Sequence, residues 1–91
     1  MEERFCLCNQ MRRSASSVPT NIVEGNFRRS KKDRLRFMEI AEGSLEELGY
    51  QIRLSKDLGY IPKVVFEKLS NHIGRVSYLL LQFRKGIESK K

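Results

Sequence analysis

The sequence predicts an all-α protein, and the spacing of its apolar residues is the main reason. Along most of the 91-residue chain, apolar residues recur every three or four positions, which is the spacing of one helix face. Strand-like alternation of polar and apolar residues does not compete with this pattern. Proline and glycine divide the chain into three helical segments. We expect one domain over residues 1–91, an up-down bundle of three antiparallel helices, because only short turns separate the segments.

The first segment predicts a helix over about residues 5–25. Its apolar stripe consists of Leu7, Met11, Ala15, Val18 and Ile22. Pro19 lies inside this stripe, and proline normally kinks or breaks a helix. Because the stripe keeps its phase across Pro19, we expect one kinked helix in which nearby serine, threonine and asparagine side chains satisfy loosened backbone groups. Gly25 is a natural stop for this helix.

Ser30 predicts the start of the second helix. It is a favourable N-cap, and Asp33 follows three residues later in a pair that resembles a capping box. Helical spacing then continues to a stop at residues 58–59, so this helix is much longer than the average of about 11–12 residues. Gly43 and Gly49 inside it each cost about 1 kcal/mol relative to alanine, which indicates close helix contacts at both glycines.

Pro62 suits the first turn of the third helix, where a missing N–H costs nothing. The apolar stripe of this helix then runs nearly to the end of the chain through Val65, Leu69, Ile73, Val76, Leu79, Leu80, Phe83 and Ile87.

Composition predicts that the chain associates with copies of itself. A chain of 91 residues buries a small fraction of its surface on folding. It has no tryptophan, and 32% of its residues are charged, so few large side chains remain for a core of its own. Homo-oligomerisation is therefore expected.

Positive charge is concentrated in one region. Residues 12–36 contain eight lysines and arginines but only two acids, Glu24 and Asp33, so they carry +6 of the formal net charge of +7. Such a region favours nucleic acid as the partner. The residues expected to contact phosphate are Arg28, Arg29, Lys31, Lys32, Arg34 and Arg36. The alternative is a solvated run of charge that only aids solubility.

Arg12 and Arg13 lie off the apolar stripe of the first helix. They either extend the same nucleic-acid surface or pair with acids of another subunit. Three tyrosines, Tyr50, Tyr60 and Tyr78, do not interleave with the basic residues, so recognition of phosphate and shape is favoured over base stacking.

Other polar residues are expected to serve structure. Asn21 and Glu24 lie beside the apolar stripe, and we expect their side chains to form buried hydrogen bonds that fix helix contacts or subunit register. Pro19 and Gly25 are expected to serve the same structural role through the backbone. A single carboxylate there is a poor metal site.

His72 is expected at a surface or an interface, and Cys6 and Cys8 are expected to be reduced thiols without zinc. We expect no cofactor and no catalytic residue.

The N-terminus lacks the basic start and apolar middle of a signal peptide. No apolar run approaches the roughly 20 residues that span a bilayer. A cytoplasmic protein without a membrane partner is therefore expected.

Four stretches carry a resemblance to a known family. Residues 10–15 read QMRRSA, residues 18–25 read VPTNIVEG, residues 37–48 read FMEIAEGSLEEL, and residues 58–60 read LGY. In combination they resemble the four-helix-bundle proteins encoded in intervening sequences of bacterial large-subunit ribosomal RNA genes. That family is related to the accessory variability protein of diversity-generating retroelements.

The resemblance implies a non-enzymatic cytoplasmic bundle that assembles as a homopentamer and binds RNA or DNA. Family members have a further N-terminal helix, so this chain is expected to contribute three helices where the family has four. Either the start of the gene is truncated, or a neighbouring subunit covers the apolar groove that the absent helix would fill. Two alternatives remain open: an adaptor that docks on a nucleic-acid-processing enzyme such as a reverse transcriptase, and a purely structural bundle.

Overall fold

The structure, a computed structural model that describes residues 2–89, consists of three long α-helices. Helix α1 spans Glu2–Asn26, α2 spans Lys31–Asp57 and α3 spans Lys63–Ser89. Residues 2–89 contain no strand. The all-α class is confirmed, with helix limits within about three residues of those predicted.

Helix α1 continues through Pro19 without interruption. Around the proline, side chains donate hydrogen bonds to backbone carbonyls of the preceding turn. Thr20 Oγ1 lies 2.8 Å from the Ser16 carbonyl, and Asn21 Nδ2 lies 2.8 Å from the Ser17 carbonyl. These bonds stabilise the turn where proline cannot donate, so one helix forms instead of two.

Both ends of α2 are fixed by local sequence. The Ser30 hydroxyl accepts a hydrogen bond from the Asp33 N–H at 3.1 Å, as an N-cap does. At the other end Gly59 has a φ of +77°, a conformation that glycine adopts without steric cost. The Gly59 N–H donates to the Lys56 carbonyl at 3.0 Å, and the Tyr60 N–H donates to the Ser55 carbonyl at 2.8 Å. This is a Schellman motif.

The three helices form a single layer with α2 in the middle. Helix α2 packs against both neighbours, whereas no Cα of α1 lies within 8 Å of a Cα of α3 among the described residues. The molecule measures 49 × 23 × 13 Å, so its thickness is close to the diameter of one helix, about 10–12 Å. The helices run antiparallel, which confirms the predicted up-down order, but the layer is open instead of closed around a core.

The core is correspondingly small. Its buried cluster consists of Val18, Met38, Ala41, Leu45 and Leu80. Helix α3 supplies only Leu80 to it, although α3 has the longest apolar stripe. Because a single layer buries one side of each outer helix, most of that stripe stays in contact with solvent.

Gly25 allows α1 and α2 to approach each other closely. A Cβ added at Gly25 would lie 3.1 Å from the Cβ of Phe37, whereas a Cβ at Gly43 or Gly49 would meet nothing within 4 Å. The expectation of close contacts at Gly43 and Gly49 is therefore wrong within one chain, since both face open space.

Replacing Gly25 with valine should lower the free energy of unfolding by about 1–3 kcal/mol, because the added carbons force α1 and α2 apart. The matched control is Gly43→Ala, which meets no atom and should raise stability by up to about 1 kcal/mol through helix propensity. Urea unfolding followed by circular dichroism measures both. Equal effects of the two substitutions would contradict the close approach at Gly25.

Candidate nucleic-acid interface

Six cationic residues gather at one end of the helical layer, which we call the basic end. They lie in the α1–α2 turn and the first two turns of α2, and are Arg28, Arg29, Lys31, Lys32, Arg34 and Arg36. The last turn of α3 reaches the same end, because Lys31 Nζ donates a hydrogen bond to the Glu88 carbonyl. The structure thus brings together the six residues that the sequence predicted as one group.

Three of these cations brace the turn itself. The Arg28 guanidinium lies 3.3 Å from the Glu24 carboxylate and 4.9 Å from the centre of the Phe37 ring. Arg34 Nε donates to the Arg28 carbonyl at 2.8 Å, and Lys31 holds the end of α3 as described. These contacts order the turn, so its remaining side chains project from a fixed backbone.

The other three cations remain available to a ligand. Arg29, Lys32 and Arg36 are exposed, and within the described residues none of them lies within 4.0 Å of a carboxylate. Arg36 lies 5.9 Å from the centre of the Phe37 ring. A cation without an acidic partner is free to bind phosphate without first breaking an ion pair.

Arg12 and Arg13 do not join the basic end within one chain. Arg13 lies thirteen helical residues before the end of α1 at Asn26, which is about 20 Å along the axis. Both arginines are exposed, and Arg13 lines a polar cleft between α1 and α2. The two alternatives for Arg12 and Arg13, a longer nucleic-acid surface or an ion pair with another subunit, stay open.

Asn21 and Glu24 differ in their surroundings. Asn21 Nδ2 donates to Ser17 Oγ at 2.9 Å, and Ser17 Oγ accepts from Ser44 Oγ at 2.8 Å. This chain of hydrogen bonds links α1 to α2. Within one chain Glu24 does not form the expected buried hydrogen bond: its side chain is 52% exposed and pairs with Arg28 one turn later, because its position on α1 faces solvent. Its expected part in subunit register stays a prediction.

The polar cleft, with a volume of about 610 Å³, lies between α1 and α2. At its floor, Glu47 Oε1 accepts hydrogen bonds from Ser14 Oγ at 2.9 Å and Gln51 Nε2 at 3.3 Å. Gln51 is buried, and its Oε1 atom has no hydrogen-bond partner among residues 2–89. The orientation of this amide is fixed, since the opposite one would place Oε1 against a carboxylate oxygen. Gln51 Oε1 is therefore a buried acceptor without a donor in the described part of the chain.

A second cavity, the apolar groove, lies between α1 and α3 with α2 as its floor. Its volume is about 450 Å³, and its walls consist of Ala15, Val18, Pro19, Ile22, Leu45, Leu48, Ile52, Leu69, His72, Ile73 and Val76. His72 is the one ionisable residue in these walls. The groove is a surface for apolar packing.

The remaining features considered are the cysteines, groups that could bind a metal, and helices that could span a membrane. Cys6 and Cys8 are exposed free thiols. Residues 2–89 contain no group of three histidine, cysteine or acidic residues close enough to hold a metal ion. No helix in the same residues combines the length and apolar character that crossing a bilayer requires.

Sequence reasoning missed two phenylalanines because it weighed only tyrosines as aromatic partners of the cations. Phe37 lies beneath Arg28 and Arg36, and Phe27 is 79% exposed in the turn. The signal was present in the sequence, since an arginine directly follows Phe27 and another directly precedes Phe37.

Comparison with known proteins relates the chain to a protein family and to a solved structure. A family model described as 23S rRNA-intervening sequence protein matches residues 1–82. The chain is also similar to a solved structure from Bacteroides thetaiotaomicron VPI-5482, described as a protein with unknown function from the S23 ribosomal protein family. The two are 26% identical with a TM-score of 0.85, and the match covers 93% of this chain and 79% of that one. About a fifth of the other chain thus lies outside the match. No curated protein matches.

The contacts in the polar cleft predict different effects for two buried residues. Ser14→Ala should lower the free energy of unfolding by about 0.5–1.5 kcal/mol, since it removes the donor that lies 2.9 Å from Glu47 Oε1. Gln51→Met removes the longer bond to Glu47, at 3.3 Å, but also an unpartnered buried oxygen. These two effects offset each other, so it should change the free energy of unfolding by less than about 0.5 kcal/mol. Urea unfolding measures both, with the exposed Ser16→Ala as control. A large loss in Gln51→Met would mean that Oε1 has a partner in solution.

Proposed function

The chain belongs to the 23S rRNA-intervening sequence protein family, and on this premise we propose that it is a non-enzymatic, oligomeric helical bundle that binds nucleic acid through its basic end. The observation that carries this proposal is the basic end itself, in which six cations lie in the α1–α2 turn and the first two turns of α2. Of these six, only Arg28 has an acidic partner among the described residues, and Arg29, Lys32 and Arg36 form neither an ion pair nor a side-chain hydrogen bond there. RNA and DNA share the phosphate chemistry that such a surface recognises.

The position of the cations supports a ligand over a solvated surface. The basic end surrounds the N-terminus of α2, where the helix dipole is positive and acids stabilise. Only Asp33 lies in the first turn of α2 to do so. Selection for stability alone would place more acids there. An anionic ligand reverses the balance, because it neutralises both the side chains and the helix end.

Association of several copies is the second part of the proposal. The solvent-accessible surface is 6856 Å², whereas a compact monomer of 10.7 kDa would have about 5,500 Å². The radius of gyration is 14.9 Å, against about 12 Å for a compact chain of this length. The excess surface on one chain is larger than the roughly 800 Å² that each partner buries in a standard interface.

The excess surface includes much of α3. Its exposed large apolar side chains are Val64, Val65, Leu69, Val76, Tyr78, Leu79, Leu81 and Phe83. We propose that other copies of this chain cover the apolar groove and adjoining α3 face. A pentamer is the subunit number that the family resemblance implies, and the relation to the retroelement accessory protein likewise stays a prediction. Assembly would multiply the basic ends on one particle and so raise affinity for a long polyanion.

Replacing Arg29, Lys32 and Arg36 together with glutamine should weaken nucleic-acid binding irrespective of sequence. Loss of three phosphate contacts should reduce the slope of log affinity against log salt by about 2–3. Fluorescence anisotropy with a labelled oligonucleotide between 50 and 200 mM salt measures this, and circular dichroism checks that the helices remain.

The matched control is Lys63→Gln, Lys68→Gln and Arg75→Gln, an equal charge change on α3. It should leave the slope within about 1 of the original. Equal losses in both triple variants would mean that only net charge matters, which would overturn the basic end as the site. A chain that binds no nucleic acid but retains a polypeptide partner would favour the adaptor instead.

Val76→Asp should dissociate the oligomer, because a charge in the apolar groove cannot be buried against a second copy. The control is Gln82→Asp, which places the same charge on an exposed polar residue of α3 that belongs neither to the groove walls nor to the exposed apolar residues of α3. Light scattering coupled to size exclusion gives the mass directly. A monomeric parent chain of 10.7 kDa, or dissociation by Gln82→Asp alone, would contradict association through the groove.

A further inference from the structure

We infer that Phe27 stacks on an unpaired base, so that the basic end binds single-stranded nucleic acid in preference to duplex. This inference rests on the proposed nucleic-acid binding and names the form of its ligand. It assigns Phe27 a role that differs from that of the cations around it.

Phe27 is an exposed aromatic residue on an ordered turn. With 79% of its surface exposed, it is the most exposed large apolar residue in the described part of the chain. Its own N–H donates to the Glu24 carbonyl at 3.2 Å, and the next N–H, of Arg28, donates to the Gly25 carbonyl at 3.1 Å. The main chain that carries the exposed ring is therefore fixed by hydrogen bonds, so stacking would require little ordering of the main chain.

The second phenylalanine of the basic end shows why Phe27 is free. Phe37 is half-buried, and the guanidinium groups of Arg28 and Arg36 lie 4.9 and 5.9 Å from its ring centre. Its ring is used within the chain to position two arginines. No cation lies over Phe27 in the described residues, so its ring remains open to a ligand.

The neighbours of Phe27 select the ligand chemistry. Arg28 and Arg29 follow it directly, so any pocket that enclosed the ring would also desolvate one or both guanidinium groups at a cost. A nucleotide avoids this cost because it offers an aromatic face and a phosphate in one unit. In a duplex the base faces are already stacked on each other, so only an unpaired base is free to meet the ring.

The test compares the parent chain with Phe27→Ala and Phe27→Trp on two RNA probes. One is a labelled single strand of about 20 uridines, whose bases stack little on each other, and the other is a labelled duplex of about 20 base pairs. Phe27→Ala should lower affinity for the single strand by about 5-fold to 100-fold, the range typical of one base stacked on an aromatic side chain. Its affinity for the duplex should change less than about 2-fold, and its salt slope should stay unchanged because no phosphate contact is lost.

Phe27→Trp supplies a direct signal, since the natural chain contains no tryptophan. Its affinity for the single strand should match or exceed that of the parent chain. Its fluorescence should be quenched by the single strand and not by the duplex. The matched control is Phe5→Ala, which removes another exposed phenylalanine near the far end of α1 and should leave both affinities unchanged.

The outcomes separate this inference from the proposed function. If the parent chain binds both probes and Phe27→Ala changes neither affinity, or both equally, base stacking is overturned while the basic end stands. If the parent chain binds neither probe, the proposed function falls as well. Vesicles containing phosphatidylserine form a third probe: a Phe27-dependent affinity for vesicles but not for single strands would assign the exposed ring to a lipid surface and overturn the inference.

Discussion

The shared use of α2 by both outer helices is the constraint on which the rest of this structure depends. Because α1 and α3 pack on α2 and not on each other, the chain forms a layer one helix thick. Such a layer cannot surround a core, so burial stops at a few positions such as Met38, Ala41 and Leu45. The apolar groove, the exposed face of α3 and the excess surface all follow from this geometry.

Local interactions explain why the helices could be predicted from sequence. The Ser30 cap, the Gly59 turn and the apolar spacing act within a few residues, and each specifies the same limits that the structure shows. Contacts between helices were harder to predict from the sequence. The sequence predicted close contacts at Gly43 and Gly49 and a helix stop at Gly25, yet of these three glycines only Gly25 meets another helix. The sequence around a glycine does not show whether that glycine permits close packing of two helices or faces solvent.

In the candidate site, too, local features could be predicted from the sequence and contacts between distant residues could not. The clustering of six cations was predictable because they lie within nine consecutive residues. Their different surroundings were not predictable, because they depend on distant partners: the Lys31 ammonium meets the carbonyl of Glu88 from α3, whereas Arg29 and Lys32 meet no carboxylate. Net charge along the sequence therefore overstates the charge that is free to bind. Three of the six cations order the turn, and three remain for a ligand.

The basic end and the apolar groove affect the stability of the chain in opposite directions. The basic end concentrates like charges, which repel and would destabilise a small domain with so limited a core. Burial of the apolar groove between copies would supply the stability that the layer lacks, and a bound polyanion would remove the repulsion that assembly increases. Self-association and nucleic-acid binding should therefore favour each other. The nucleic acid would bind more tightly to the oligomer than to the single chain, and the chains would associate more tightly when nucleic acid is bound. The open layer is then suited to a protein whose folded form is completed by its partners.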